Sequence, residues 1–573
     1  MPLRLIITDR GFFRRRNLFY FLGMVLLVTA SPINLSAQIR FSDQVQLYGN
    51  SRFFYQNYAF SSEQSVPAVA RRPKNYMRFT MNATLQAYQL KIPITIRLAN
   101  ATVSPLWDTP TKPNLGQFIR HPGNVIRLSP TIKNIKFDLG SHTPVYSPLS
   151  VGDLQLFGGG ASYKVSNYEF RLNAGASQSP VENVTFKKYM IAGRVMRRFN
   201  AGQYAALNIV SLRDLKNSVD SVPLMWFDVP EAGLTITAEG RYNLTSKLAV
   251  KAEVGQNAFT PNRTVDSLNN EGSLASVFLP SGSGAISGIA TYLETEYRER
   301  DYGVKLIGKY IGKDYVMLGY PFQVRDVMDI LLAPYGYFLN RKLTLKGNVG
   351  RRANNVSGRQ EGLRTSQFLM NIGGVYLPTR NFDLNFNLAN YGVRTNTVND
   401  TFNIHIIAQT ISINPVYRFE KSGIKHTISG NALLDRYDDA TRLTDTINDN
   451  TVTNLSARYQ AVISLYTAGL TVGSYRFRQP NRDFNINSVT VSGAAQLLKK
   501  KLSTRLAITR AKTANDGVTF GTRMFFDLRA RYNVSSKLNA ELNFFNNRFT
   551  YGDGQNLPFM NELMNRIILN YRF

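Results

Sequence analysis

The 573-residue chain contains no cysteine, which excludes a disulfide framework, a thiolate metal site and a lipid-bearing cysteine behind an export signal. It has four histidines, His121, His142, His405 and His426, spread without an i, i+4 pair or a carboxylate–histidine grouping of the kind that holds zinc. His142 has a neighbouring Ser141, but a loop histidine is the plainer reading. Phosphate-cradling Gly-rich motifs are missing, and Gly282, Ser283 and Gly284 in "PSGSGAISG" lack the spacing of a nucleophile elbow. These gaps predict a protein that is no enzyme and carries no cofactor and no metal. Long apolar runs are also scarce: Leu18 to Ala30 is one, and its thirteen residues fall short of the roughly 20 that a spanning helix needs. Acids are few, 38 against 68 Lys and Arg, for a net charge of +30.

What is present begins with that apolar run. Arg14, Arg15 and Arg16 precede it and "LSAQ" follows, so residues 1–37 read as an export signal cleaved after Ala37. Removing it takes away five Arg and one Asp and leaves 536 residues, 38–573, with a charge of +26. Export sets aside nucleic acid as a partner despite the basic balance. No Pro- or Ser-rich linker divides the rest, which predicts one continuous architecture.

Period two dominates that architecture. Met77, Phe79, Met81, Ala83 and Leu85 share one face, while Arg78, Thr80, Asn82 and Thr84 share the other. Leu234, Ile236 and Ala238 stand likewise opposite Thr235, Thr237 and Glu239, as do Phe382, Leu384, Phe386 and Leu388 opposite Asp383, Asn385 and Asn387. Tight turns such as "YNLTSKL" (Tyr242 to Leu248) and "YNVSSKL" (Tyr532 to Leu538) nearly repeat each other. Thirteen longer connections alternate with twelve short ones, at 57–74, 100–124, 140–155, 176–187, 213–231, 258–286, 312–328, 351–366, 393–403, 435–453, 478–487, 512–518 and 548–562. The count is therefore 26 strands, with 24 left open by the segment 124–160. Strands of about 12 residues, short turns of about 4 and loops of about 13 sum to roughly 530 residues, close to the mature length. This predicts an all-β fold: a single transmembrane antiparallel up-and-down β-barrel, with no room for an N-terminal plug. A secreted sandwich array would bury its apolar face against a second sheet and would not require long and short connections to alternate.

The last nine residues, "NRIILNYRF", carry Ile567, Leu569, Tyr571 and Phe573 on one face of a strand that is apolar to its end. This stretch resembles the C-terminal signal of bacterial outer-membrane barrels, and the resemblance implies recognition by the barrel-insertion machinery. With the "SAQ" cleavage region, 30 Tyr, 2 Trp and Lys-containing short turns, the chain is similar to outer-membrane barrels of Bacteroidota. That implies seating in outer-membrane lipid.

If the apolar stripes face lipid, Arg78, Arg97, Arg127, Lys136, Arg171, Arg194, Arg241, Lys251, Lys305, Lys346, Arg458, Arg505, Arg529 and Arg566 fall on the lumen-facing stripe. Asp138, Glu169, Glu239, Glu253, Asp383, Asp527, Glu541 and Glu562 share that stripe, leaving it net positive. Such a field attracts anions. An empty tube of 26 strands would leak, so something narrows it. The loops 258–286 and 100–124 are long enough to fold inward, which would make an anion-preferring channel for passive solute passage. A separate lipoprotein or periplasmic plug subunit would instead make the barrel part of an export or assembly apparatus, and a closed adhesive surface scaffold is the third reading. Two features stay neutral: the acids of loop 435–450, Asp435, Asp438, Asp439, Asp445 and Asp449, lack EF-hand spacing for Ca²⁺. The run Gly158 to Gly160 reads as a bend or close backbone approach.

Overall fold

The computed structural model of the chain describes residues 39–42, 45–62, 72–88, 90–100, 118–119, 123–152, 154–180, 185–219, 229–263, 285–320, 323–358, 364–396, 403–441, 444, 447–552 and 560–573. The expected signal, 1–37, lies outside them. Twenty-six wall strands are found among the described residues. The first thirteen are β1 (Val45–Ser62), β2 (Asn75–Ala87), β3 (Leu90–Ala99), β4 (Val125–Leu128, resuming at Thr131–Ile132), β5 (Ile135–His142), β6 (Leu156–Val165), β7 (Tyr168–Gln178), β8 (Lys187–Asn200), β9 (Gln203–Leu215), β10 (Ala232–Asn243), β11 (Leu248–Thr260), β12 (Ile286–Arg298) and β13 (Tyr302–Ile311). The second thirteen are β14 (Val327–Phe338), β15 (Leu343–Asn354), β16 (Arg364–Thr379), β17 (Phe382–Asn396), β18 (His405–Lys421), β19 (Ile424–Asp439), β20 (Asn450–Ile463), β21 (Tyr466–Gln479), β22 (Arg482–Leu497), β23 (Leu502–Asn515), β24 (Val518–Asn533), β25 (Leu538–Tyr551) and β26 (Met560–Arg572).

Each strand pairs antiparallel with the next, and β26 pairs with β1 from Ser62↔Met560 to Asn50↔Arg572, so the sheet closes on itself. An even count is what antiparallel closure demands. The segment that left 24 open supplies the interrupted β4, whose two pieces both bridge β3 and β5. At the seam Gly49 and Phe573 exchange backbone hydrogen bonds of 2.8 and 3.0 Å. Tyr571 and Phe573 are buried there beside Ala83. Gly49 must lack a side chain, because a Cβ would strike the Asn82 carbonyl on β2. A short strand, Ile39–Ser42, takes over the edge of β1 just beyond the place where β26 ends.

The alternating pattern fixes two faces. Val254, Ile289 and Val491 are 55%, 57% and 61% exposed and lie on the apolar face, as do Leu207, Ile209, Ile330 and Leu332. Near the short turns the same face carries exposed rings: Tyr168, Phe170, Phe199, Tyr242, Tyr302, Tyr417, Tyr466 and Tyr532. A closed wall can hold so many exposed apolar side chains only on its outside, so the opposite stripe faces the bore. Neighbouring strands about 4.8 Å apart and tilted about 40° give 26 of them a backbone diameter of roughly 50 Å.

Two expectations are corrected. The connections at 478–487 and 512–518 are tight turns, because β21 and β22 run to Gln479 and from Arg482, and β23 and β24 run to Asn515 and from Val518. Asp516 and Gly517 adopt φ of 50° and 80°, the left-handed pair that a two-residue hairpin requires. Strand length is also uneven, from the 4- and 2-residue pieces of β4 and the 8 residues of β5 to 18 in β1, rather than a uniform dozen.

Candidate functional site: the inner face of the barrel

The described residues of 143–155 (all but 153), between β5 and β6, and of 312–326 (all but 321 and 322), between β13 and β14, fold back onto the inner face over β8–β14. Met190 and Ala192 of β8 and Val210 and Leu212 of β9 are apolar on a stripe that would otherwise meet water. Tyr146, Val151 and Leu156 cover them. Leu149 and Met317 pack with Tyr315 on Ala290, Ile311 and Val327. The two segments are tied together: the Tyr315 Oη donates to the Leu149 carbonyl at 2.7 Å and the Tyr320 Oη to the Ser147 carbonyl at 3.1 Å. Asn257 donates to the Val316 carbonyl at 2.8 Å and accepts from the Gly288 N–H at 3.1 Å. Gly288 has no room for a Cβ, since the Tyr315 backbone lies against it. Burial pushes the phenol pKa of both Tyr146 and Tyr315 above the usual tyrosine value.

Beneath the first segment lies a dry polar network. Arg194 Nη1 is 2.5 Å from Glu239 Oε1, 2.6 Å from the Tyr146 carbonyl and 3.2 Å from Asn208 Oδ1. The Ser147 hydroxyl donates to Glu253 Oε1 at 2.5 Å, and Glu253 is only 1% exposed. Asn173 donates to the Tyr146 Oη at 2.7 Å, which in turn donates to the Ala192 carbonyl at 2.9 Å. Removing one member of such a buried charged pair costs about 3–5 kcal/mol, and the segment is tied to these charges through the Tyr146 carbonyl and the Ser147 hydroxyl, forming an internal shelf that takes up part of the bore.

All fourteen basic residues expected in the lumen sit on the strand face opposite the exposed apolar one, but they form two populations. Eight are paired. Arg127 and Lys136 meet Asp138 at 2.6 and 3.6 Å, Arg171 meets Glu169, Arg194 and Lys251 meet Glu239, and Arg241 meets Glu296 at 3.4 Å. Lys305 lies 3.5 Å from Glu294 and Arg529 2.8 Å from Asp527. The other six, Arg78, Arg97, Lys346, Arg458, Arg505 and Arg566, have no ion pair with a carboxylate among the described residues. Arg78 and Arg566 rest over the Phe54 and Phe545 rings at 5.5 and 5.1 Å, and Arg458 donates to Gln460 at 2.8 Å. Seven of the eight paired residues lie on β4–β13, the sector that the two segments overlie or flank. All six unpaired ones lie on β1–β3 and β15–β26. Arg52 of β1 joins this second group and was overlooked in the sequence.

No family model matches the chain, and no curated protein does. Solved structures share the barrel outline at low identity. Pseudomonas aeruginosa OccK1 (OpdK) is 12% identical with a TM-score of 0.31, covering 67% of this chain and 98% of that one. The P pilus usher (PapC) translocation pore is 10% identical with a TM-score of 0.37, covering 92% of this chain and 99% of its own. Pseudomonas aeruginosa OccK2 (OpdF) in complex with glucuronate is 10% identical with a TM-score of 0.28, covering 93% and 99%. At such distances, function has to be argued from the chain's own geometry.

The remaining candidates resolve differently. His142 is no loop residue: it ends β5, is 5% exposed, and its ring nitrogens lie 3.0 Å from the Gly140 carbonyl and from Asn173 Oδ1. Gly160 leaves room for that Asn173 side chain, and Gly158 for the Ala174 carbonyl, which is the close approach expected of the triple glycine. His426 stacks between Phe419 and Tyr459. In the acidic loop, Asp439 accepts from Thr444 and Asn448 at 2.8 Å each, Asp435 from Thr410 at 3.0 Å, and Asp438 from Arg436 at 2.8 Å. Those carboxylates are satisfied by protein donors, and no metal-binding group occurs among the described residues. His121, Asp445 and Gly282 to Gly284 lie outside the described residues, as do most of the loops 100–124 and 258–286 that were expected to fold inward.

Proposed function

We propose that the chain is a bacterial outer-membrane channel for passive solute passage with a preference for anions. One observation carries the reading: among the described residues the two inward segments and seven of the eight paired lumen cations lie on β4–β14, while the arc β1–β3 and β15–β26 presents Arg78, Arg97, Lys346, Arg458, Arg505 and Arg566 without carboxylate partners, beside the pairs Arg352–Asp329, Arg418–Asp383 and Arg529–Asp527. A low-dielectric wall carrying an excess of one sign of charge concentrates the opposite sign in the water beside it. The exposed apolar face and its rings near the short turns suit a bilayer core with interfacial aromatic girdles. The finer resemblance to barrels of Bacteroidota rests on the sequence features alone, and β26, with Phe573 at the seam, is the strand we assign to the insertion machinery.

Conductance of the purified protein in planar bilayers tests this, with the reversal potential in a KCl gradient reporting the ion preferred. Steady current with chloride favoured supports the channel; cation preference would refute the anionic assignment. Width favours a second reading. A bore of roughly 50 Å between backbones leaves space beyond the inward segments for a separate lipoprotein or periplasmic subunit, as in an export or assembly apparatus. A silent bilayer together with a stoichiometric companion after mild-detergent purification would decide for it.

A further inference from the structure

On the inner face, Arg52 of β1 stands level with Thr80 of β2 and Arg97 of β3, and Arg78 lies two residues along β2 from Thr80. Two strand spacings separate Arg52 from Arg97 by roughly 10 Å, and two residues along a strand separate Arg78 from their row by roughly 7 Å. Arginine side chains are long enough for three guanidinium groups rooted in such a triangle to converge on one small ligand. They line a single recess of about 460 Å³ whose other side-chain donors are Asn50, Thr80, Asn82 and Asn570. Among the described residues no carboxylate lines it. None of the three arginines forms an ion pair among the described residues, although Arg127, one strand from Arg97, is matched to Asp138. Arg78 is steered by the Phe54 ring, itself met edge-on by Tyr76 at 5.8 Å, a contact to the guanidinium face that leaves the N–H edge available.

We propose that this recess binds a phosphate group, free or as a monoester, on its way through the lumen. Three cations lining one recess repel one another, and an anion seated among them relieves that repulsion. Arginine forks match phosphate oxygens, and a triangular array serves the three terminal oxygens of a phosphate monoester better than the two of a carboxylate. The neutral amides of Asn50 and Asn82 add donors without attracting cations, while the Asn570 amide donates to Asn539 Oδ1 at 2.9 Å. The inference deepens the anion-channel reading by naming a substrate class, and it rests on that reading for the arrival of solute in the bore.

The test is equilibrium binding to the full chain in detergent, read by ³¹P NMR line broadening. Inorganic phosphate and glycerol 3-phosphate are titrated separately, with acetate as competitor. Saturable binding is expected for at least one phosphate, with acetate a poor competitor; preference for the monoester marks organic phosphates as the cargo, and preference for inorganic phosphate marks the free ion. The triple variant Arg52→Gln/Arg78→Gln/Arg97→Gln is expected to weaken binding at least tenfold while keeping heat-modifiable gel migration, the sign of a closed barrel. The pair Arg458→Gln/Arg505→Gln, elsewhere on the same arc, is expected to bind as the wild type does. Absence of saturable binding, equal losses in both variants, or equal competition by acetate would overturn the site. Bilayer selectivity measured in parallel separates the two ideas: anion-selective current without phosphate binding sinks the site alone, and phosphate binding by a cation-selective or silent barrel sinks the channel reading alone.

Discussion

Tyr315 is where the inward segments should come undone. It is 0% exposed, its ring sits against Gly255 and its backbone against Gly288, and its hydroxyl ties the second segment to the first through the Leu149 carbonyl. A buried aromatic of this size covers roughly 150–200 Å², which at about 25 cal/mol per Å² is 4–5 kcal/mol; the hydrogen bond adds about 1 kcal/mol. Tyr315→Ala loses nearly all of this. The wall's own ladder is untouched, so the loss falls on the local opening of the segment rather than on the barrel. At 1.4 kcal/mol per factor of ten, some 5 kcal/mol multiplies the open population by roughly three to four powers of ten. Single-channel recordings in planar bilayers are expected to show a larger and noisier conductance for Tyr315→Ala than for wild type. Tyr315→Phe, which keeps the ring, should stay near the wild-type level with only brief excursions. If Tyr315→Ala conducts and fluctuates as wild type does while remaining heat-modifiable, the shelf does not narrow the path.

Further expectations concern charge, anchoring, closure and the outer face. Reversing Arg52, Arg78 and Arg97 together to Glu should lower the chloride-to-potassium permeability ratio; reversing Arg194, which is locked to Glu239 under Tyr146, should lower the yield of folded barrel instead. Ser147→Ala leaves the buried Glu253 carboxylate short of a donor, at a cost of about 1–3 kcal/mol, and should speed hydrogen exchange in residues 143–152 by about fivefold or more. Gly49→Val drives a side chain into the Asn82 carbonyl at the seam and should abolish the heat-modifiable form. Val491→Arg on the exposed apolar face should lose about 2–4 kcal/mol in urea unfolding from lipid vesicles if that face meets the bilayer core. At the adjacent inward Thr490 the same change should cost under about 1 kcal/mol.

The wall was legible because period two is a local property. Leu234, Ile236 and Ala238 announce their face without reference to any partner strand, and long connections alternating with short ones over the first twenty strands announce the up-and-down order. The Asp516-Gly517 turn was misread as part of a loop although its Asx-Gly pair is a strong hairpin cue. Arg52 was missed because Phe53 and Phe54 interrupt the alternation just after it. The inward shelf had one signal, that "ALNIVSL" (Ala206 to Leu212) is apolar on both stripes, with Leu207 and Ile209 facing out and Val210 and Leu212 facing in. Such a strand is covered on both sides, yet nothing local says by what. Which cations are neutralised was beyond the sequence altogether, since Arg194 meets Glu239 across two strands and Arg241 meets Glu296 across two more. Those contacts depend on a register that only the assembled sheet sets.

The one-sided placement of the shelf has a consequence for the kind of cargo that fits. Among the described residues the inner padding lies over β8–β14 and none lies over β15–β26 and β1–β3, so the cross-section those residues leave is a crescent hugging that bank rather than a centred disc. A crescent admits flat or rod-like molecules more readily than spheres of equal volume, and it holds them against one bank. A traveller through it would therefore read the charged side chains of that bank in succession instead of drifting past all of them at a distance.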